Sequence, residues 1–145
     1  MIRRLIEISR PVLWVNTIGT TVIGMWLAGE LWTWSIIPIL LWVTFPFNLL
    51  IYGINDIYDQ DTDADNDRKG GYGGAKIKPS ETAMIGWGVI LTNIPFLIYF
   101  AITLPWGAVA WMGLYAFSFW QYSATPLRFK GRPILDSVSN ADYAF

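Results

Sequence analysis

The chain has 145 residues, 54% of them apolar and 17% aromatic, with nine tryptophans and a net charge of −1. Only 14% are charged, against about 25% in an average soluble domain, so the composition points to a membrane protein. Cysteine and histidine are both missing, which excludes disulfides, zinc–thiolate sites, imidazole acid–base chemistry and any Cys or His nucleophile.

Four apolar stretches follow in order, each near the roughly 20 residues that a bilayer core requires. The first, 11–28, comes after Arg3, Arg4 and Arg10. It is long for the apolar region of a signal peptide and has no small-x-small cleavage pattern, so it reads as a first span. The second, 32–54, carries Pro38 and Pro46 and runs straight into an acidic segment in which six of the twelve residues 56–67 are aspartate. A kink at Pro46 would aim the end of this helix. A loop then combines Gly70, Gly71, Gly73 and Gly74 with Arg68, Lys69, Lys76 and Lys78. The third stretch, 83–103, contains Pro95, and the fourth, 106–124, ends beside Tyr122 and is followed by Arg128, Lys130 and Arg132. Residues 133–145 read as the start of a fifth helix.

The expected fold is therefore all-α, a polytopic transmembrane helix bundle of about four spans plus the start of a fifth. All ten Lys and Arg residues lie in 3–10, 68–78 and 128–132, and the connections after the first and third stretches hold none. Four spans place those clusters on one side, and the excess of positive charge makes that side cytoplasmic, N-terminus and aspartate loop included. Trp26, Trp32, Trp34 and Trp106 then form an aromatic belt at the opposite interface. A soluble bundle with an apolar core does not account for this segregation.

Carboxylates at the end of a span are costly unless neutralised, and a divalent metal is the usual neutraliser. At about 100° per residue, Asn55, Asp59 and Asp63 share one face of a continuing helix, with Asp56 near its edge. Asn48 and Tyr52 precede them on the same stripe, while Asp61 and Asp65 point elsewhere. Oxygen ligands without thiol or imidazole suit Mg²⁺, which binds through one or two carboxylates plus substrate phosphates. Two other readings compete. The run could be a solvated loop, or it could store calcium, since Asp59-x-Asp61-x-Asp63 imitates the opening of an EF-hand. Ala64 and Gly70 stand where that loop requires glycine and glutamate. The glycines and cations of 68–78 suit an anion held close to the backbone, and a metal-bridged diphosphate needs both halves of such a site.

Asn55-Asp56-x-x-Asp59-x-x-x-Asp63 resembles the first aspartate-rich motif of the UbiA-type intramembrane prenyltransferases. Ser9-Arg10-Pro11 through Trp14-Val-Asn16-Thr17, Tyr52-Gly-Ile-Asn-Asp, Arg68-Lys-Gly-Gly71 and Tyr122-Ser through Leu127-Arg-Phe-Lys130 are similar to the lycopene elongase branch. Members of that branch add C5 prenyl units to lycopene on the way to C50 carotenoids. The resemblance implies a catalytic row of Asn55, Asp56, Asp59 and Asp63, in which Asn55, Asp59 and Asp63 hold Mg²⁺. It also implies diphosphate contacts from Arg68 and Lys130, joined by Lys69, Tyr122 and Arg128. The implied partners are an isoprenoid diphosphate donor, a lipophilic acceptor and the lipid bilayer; no nucleic acid is expected. An aromatic acceptor of the quinone or chlorophyll type is the nearest alternative. A membrane protein that binds divalent cations without catalysis is a further one. The family has about nine helices and a second aspartate motif, for which Asp136 and Asp142 have the wrong spacing. The 145 residues are accordingly expected to be the N-terminal part of a single UbiA-like membrane domain.

Overall fold

The computed structural model describes residues 1–60 and 75–141. They are helical, with no strand among the described residues. Helix α1 (Ile2–Ile8) is short and buries Leu5 and Ile8. A 3₁₀ turn at Pro11–Leu13 leads into α2 (Trp14–Leu27). The predicted second helix begins at Ile36 and not at residue 32, and it extends to Tyr58 in four pieces. These are α3 (Ile36–Val43), α4 (Phe45–Asn48), a π-helical turn at Leu49–Gly53, and α5 (Ile54–Tyr58). Helix α6 (Thr82–Thr103) follows a 3₁₀ turn at Pro79–Glu81, and α7 (Trp106–Ser123) returns antiparallel to it. A loop with a 3₁₀ turn at Phe129–Gly131 precedes α8 (Pro133–Ala141).

The breaks in the second helix have identifiable causes. Proline has no N–H and its ring collides with the carbonyl one turn back, and the chain departs from helical geometry at Thr44 (φ −79°, ψ −114°), two residues before Pro46. Carbonyls freed in an apolar interior need donors. The wholly buried Asn48 adds an amide donor at the break, 2.7 Å from the Val43 and Thr44 carbonyl oxygens and 2.9 Å from Thr17 Oγ1. Asn48 thus closes the break against α2 and does not share the face on which Asn55 and Asp59 meet Lys130. The π turn is the reason: an extra residue in one turn shifts the phase of everything after it. It packs on α6 through Gly53, where a Cβ would lie 2.9 Å from Cγ2 of the wholly buried Ile85.

Two cores flank this central rod. Leu5, Ile8, Leu49, Ala75, Ile85 and Val89 pack together near the aspartate end. Trp42, Val43, Phe47, Ile51, Phe100 and Phe119 form the other, with Phe47 stacked on Tyr115 at 5.3 Å. Buried Asn93 of α6 accepts from Trp42 Nε1 (2.9 Å) and donates to the Pro46 carbonyl (2.8 Å), tying α6 to the kinked helix. Segments Ile36–Tyr58 and Pro79–Thr103 are long and apolar enough to cross a membrane, and Pro11–Leu27 is a shorter apolar helix. Their outer faces, with those of α7, expose Trp87, Ile90, Ile98, Ile102, Trp111 and Leu114. Trp26, Trp32, Trp34 and Trp106 are exposed around the connections farthest from α5's C-terminus.

At the aspartate end, Arg4 fastens α1 to the start of α6. Its Nε lies 2.8 Å from Glu81 Oε1, and its Nη2 donates to the Lys76 carbonyl at 2.7 Å. The Glu81 hydrogen bond, working against partial burial, raises the Arg4 pKa further above its ordinary value.

Candidate active site

The C-terminal end of α5 presents Asn55, Asp56 and Asp59 to two different neighbourhoods. Asn55 and Asp59 are four residues apart and share a helix face; Asp59 ends α5 as its C-cap (φ −108°, ψ 9°). Both face the loop after α7. Lys130 Nζ donates to both carboxylate oxygens of Asp59 and, at 3.2 Å, to Asn55 Oδ1. The same Asn55 oxygen accepts from Ser123 Oγ at 2.9 Å, so the last turn of α7 fixes the amide's orientation. Arg128 Nη2 stands 3.6 Å from Asp59 Oδ1. Buried Gln121 accepts the Leu127 N–H at 3.3 Å, supporting the loop that carries these cations.

Asp56 sits about 100° around the helix from Asn55. It is wholly buried, and its Oδ1 accepts from Arg10 Nη2 at 2.7 Å. The Arg10 guanidinium carbon lies 4.6 Å from the centroid of the Tyr52 ring, within cation–π range. Asp56 is therefore placed apart from the Lys130 group. Tyr122 also faces elsewhere, donating its hydroxyl to Asp136 Oδ1 of α8 at 3.0 Å. Asp63, Arg68 and Lys69, like Asp61 and Asp65, lie outside the described residues.

Arg10 and Ser123 belong to the site although the sequence assigned neither a role. Both non-glycine residues with positive φ among those described are arginines, Arg10 (53°) and Arg128 (40°). The left-handed region is uncommon for such residues and costs of order 1–3 kcal/mol, so it persists where the surroundings dictate it. Here each strained turn carries its guanidinium to a different aspartate, Arg10 to Asp56 and Arg128 to Asp59. The Arg-Pro dipeptide at 10–11 was the available signal for the first, but the bond to Asp56 spans 46 positions in sequence.

Among the described residues no three His, Cys, Asp or Glu side chains gather as a metal cluster. The donor chemistry nevertheless fits Mg²⁺. Three hard oxygens, one from Asn55 and two from Asp59, already converge on a single positive charge, the Lys130 ammonium. That number of protein ligands is ordinary for an ion that also binds substrate phosphate.

Residues 17–141 match the UbiA prenyltransferase family. The chain belongs to that family. Among similar proteins is the lycopene elongase/hydratase of Corynebacterium glutamicum, 34% identical over 143 residues, covering 98% of this chain and 50% of the relative. The C(50) beta-cyclic carotenoids biosynthesis protein of Dietzia sp. is 37% identical over 134 residues, 92% of this chain and 31% of the relative. The lycopene elongase/hydratase of Haloarcula japonica is 35% identical over 147 residues, 96% of this chain and 48% of the relative. This UbiA-family chain thus spans about half the length, or less, of these curated relatives. No solved structure matches it.

Proposed function

We propose that the chain is the N-terminal part of an integral membrane prenyltransferase that transfers an allylic prenyl group from an isoprenoid diphosphate to lycopene or a related carotenoid. The observation that carries this reading is the clasp of a cation by Asn55 and Asp59 beside Arg128, within a chain so similar to lycopene elongases. Bound Mg²⁺ would neutralise the diphosphate and stabilise the departing pyrophosphate. Asn55 and Asp59, with Asp63, would hold the ion. Lys130 and Arg128, with Arg68 and Lys69, would bind the diphosphate oxygens, where charge-assisted bonds strengthen as the carbon–oxygen bond breaks. Asp56 positions this helix end through Arg10, and Tyr122 positions the loop through α8. Pyrophosphate leaves with the carbon–oxygen electron pair, the acceptor's double bond supplies the pair for the new carbon–carbon bond, and the acceptor cation so formed loses a proton, while apolar helices keep water from the allylic cation.

The test is product analysis. The chain is expressed together with the portion of the Corynebacterium glutamicum protein that it does not cover, and supplied with a five-carbon allylic diphosphate. Lycopene is expected to gain C5 units, while an aromatic acceptor remains unchanged. Transfer to the aromatic acceptor alone would replace the carotenoid reading. No transfer to either would favour a cation-binding protein without catalysis.

Four spans, 11–28, Ile36–Tyr58, 83–103 and 106–124, with a cytoplasmic aspartate end, complete the proposal. The described cations support it, since Arg4, Arg10, Arg128 and Lys130 all make their ion pairs at one end of the bundle. Single cysteines placed beside Lys78 and Arg132 should be labelled from the cytoplasmic face, and one at Trp32 from the other. Labelling of the first two from opposite faces would refute the topology.

A further inference from the structure

Lys130 stands where the metal would have to bind. Its ammonium takes the Asn55 Oδ1 and both Asp59 oxygens, the oxygens that the proposed function gives to Mg²⁺. Magnesium needs oxygens at about 2.0–2.1 Å in near-octahedral order, and two cations cannot share the same lone pairs at such separations. We propose that Lys130 is a gate on the metal site: it holds the ligand oxygens when no substrate is bound and yields them only when an incoming diphosphate offers its ammonium a new anionic partner. The inference rests on the metal reading of Asn55 and Asp59 and adds an order of events to it.

The surroundings suit an exchange of partners. Lys130 lies in the short 3₁₀ turn Phe129–Gly131, directly after the left-handed Arg128. Its flexible four-carbon stem lets the charge travel while the loop stays in place. Asn55 keeps its orientation when the ammonium leaves, because Ser123 Oγ holds the same oxygen from the last turn of α7. Arg128, 3.6 Å from Asp59 and half exposed, remains as a second positive charge toward the diphosphate. Among the described residues Asp59 is the one carboxylate that Lys130 meets, so a metal arriving alone must displace the ammonium from it without bringing a replacement anion. A metal arriving with diphosphate brings that anion. Metal and diphosphate affinities are therefore coupled, each raising the other by the same factor.

The experiment measures binding, not turnover. The purified chain in detergent is titrated with Mn²⁺, a spin-visible substitute for Mg²⁺, and free ion is read by electron paramagnetic resonance. Lys130→Met and Lys130→Gln are expected to bind Mn²⁺ alone at least tenfold more tightly than the wild type. Labelled inorganic pyrophosphate should be retained by the wild type only with Mn²⁺ present. In the Lys130→Met background, Asp59→Asn should abolish the gain. Equal Mn²⁺ affinity in the wild type and both Lys130 variants, with binding still lost in Asp59→Asn, overturns the gate and leaves the metal reading standing. A gain that survives Asp59→Asn places the ion elsewhere and sinks both. Absence of Mn²⁺ binding in every variant also overturns the gate.

Discussion

Asp59→Ala is expected to lower prenyl transfer by about 10²–10³-fold, the usual consequence of removing one group aimed at developing charge. Asp59 is the residue at which the candidate site is joined: its carboxylate meets Lys130 on both oxygens and faces Arg128 at 3.6 Å. Without it, Asn55 is the one proposed ligand left among the described residues, and Lys130 and Arg128 lose the carboxylate that they share there. The loss should fall on kcat and kcat/KM together if the metal acts mainly on the leaving pyrophosphate. Asp59→Asn keeps the size of the side chain and one oxygen but not the charge, and should lose nearly as much. Steady-state assays with a five-carbon allylic diphosphate and lycopene, in the two-part preparation described above, make the comparison. Activity within twofold of the wild type would remove Asp59 from the machinery.

The pairing of Asn55 with Asp59 was legible because a helix places residues four apart on one face, and the acidic motif states the spacing outright. The clustering of cations told equally well that Lys130 belongs to the same end of the molecule. Which cation meets which carboxylate was not legible. The Lys130–Asp59 bond spans 71 positions and the Arg10–Asp56 bond 46, and charge count alone does not choose between them. Asn48 shows a different limit. A constant 100° step puts it on the aspartate stripe, but the π turn at Leu49–Gly53 resets the phase. Hydropathy is blind to such a turn, since Leu, Leu, Ile, Tyr and Gly are equally apolar in an α-helical turn. The late start of the second helix has a local cause. Thr33 and Ser35 hydrogen-bond to each other at 2.6 Å and Thr33 to the Glu30 carbonyl at 2.8 Å, holding Trp32 and Trp34 in a turn where apolar content alone suggested helix.

Arg10→Ala should be among the most destabilising single changes in the chain. Asp56 is wholly buried, and Arg10, with 14% of its side chain exposed, lies 2.7 Å from it. Removing one partner of a buried ion pair leaves a charge that was desolvated in expectation of the other, and costs on the order of 3–5 kcal/mol. Loss of the guanidinium from the Tyr52 face adds to this. For a chain of this size the melting temperature should fall by about 10 °C, as measured by circular dichroism in detergent. Arg10→Lys keeps the charge but not the planar fork that both bonds Asp56 and lies over Tyr52, so it should recover only part of the loss. The decisive comparison is Arg10→Ala with Asp56→Asn. Removing the charge that Arg10 answers should restore at least half of the lost stability, because the penalty lies in a buried carboxylate that has lost its Arg10 bond and not in the missing arginine volume. If the double variant melts no higher than Arg10→Ala alone, the pair is incidental, and the left-handed turn at Arg10 is held by the packing of α1 and α2 instead. If it melts higher, the strain at residue 10 is explained by the bond it makes. Asn55 is then held in place by an ion pair on the adjoining face of its own helix.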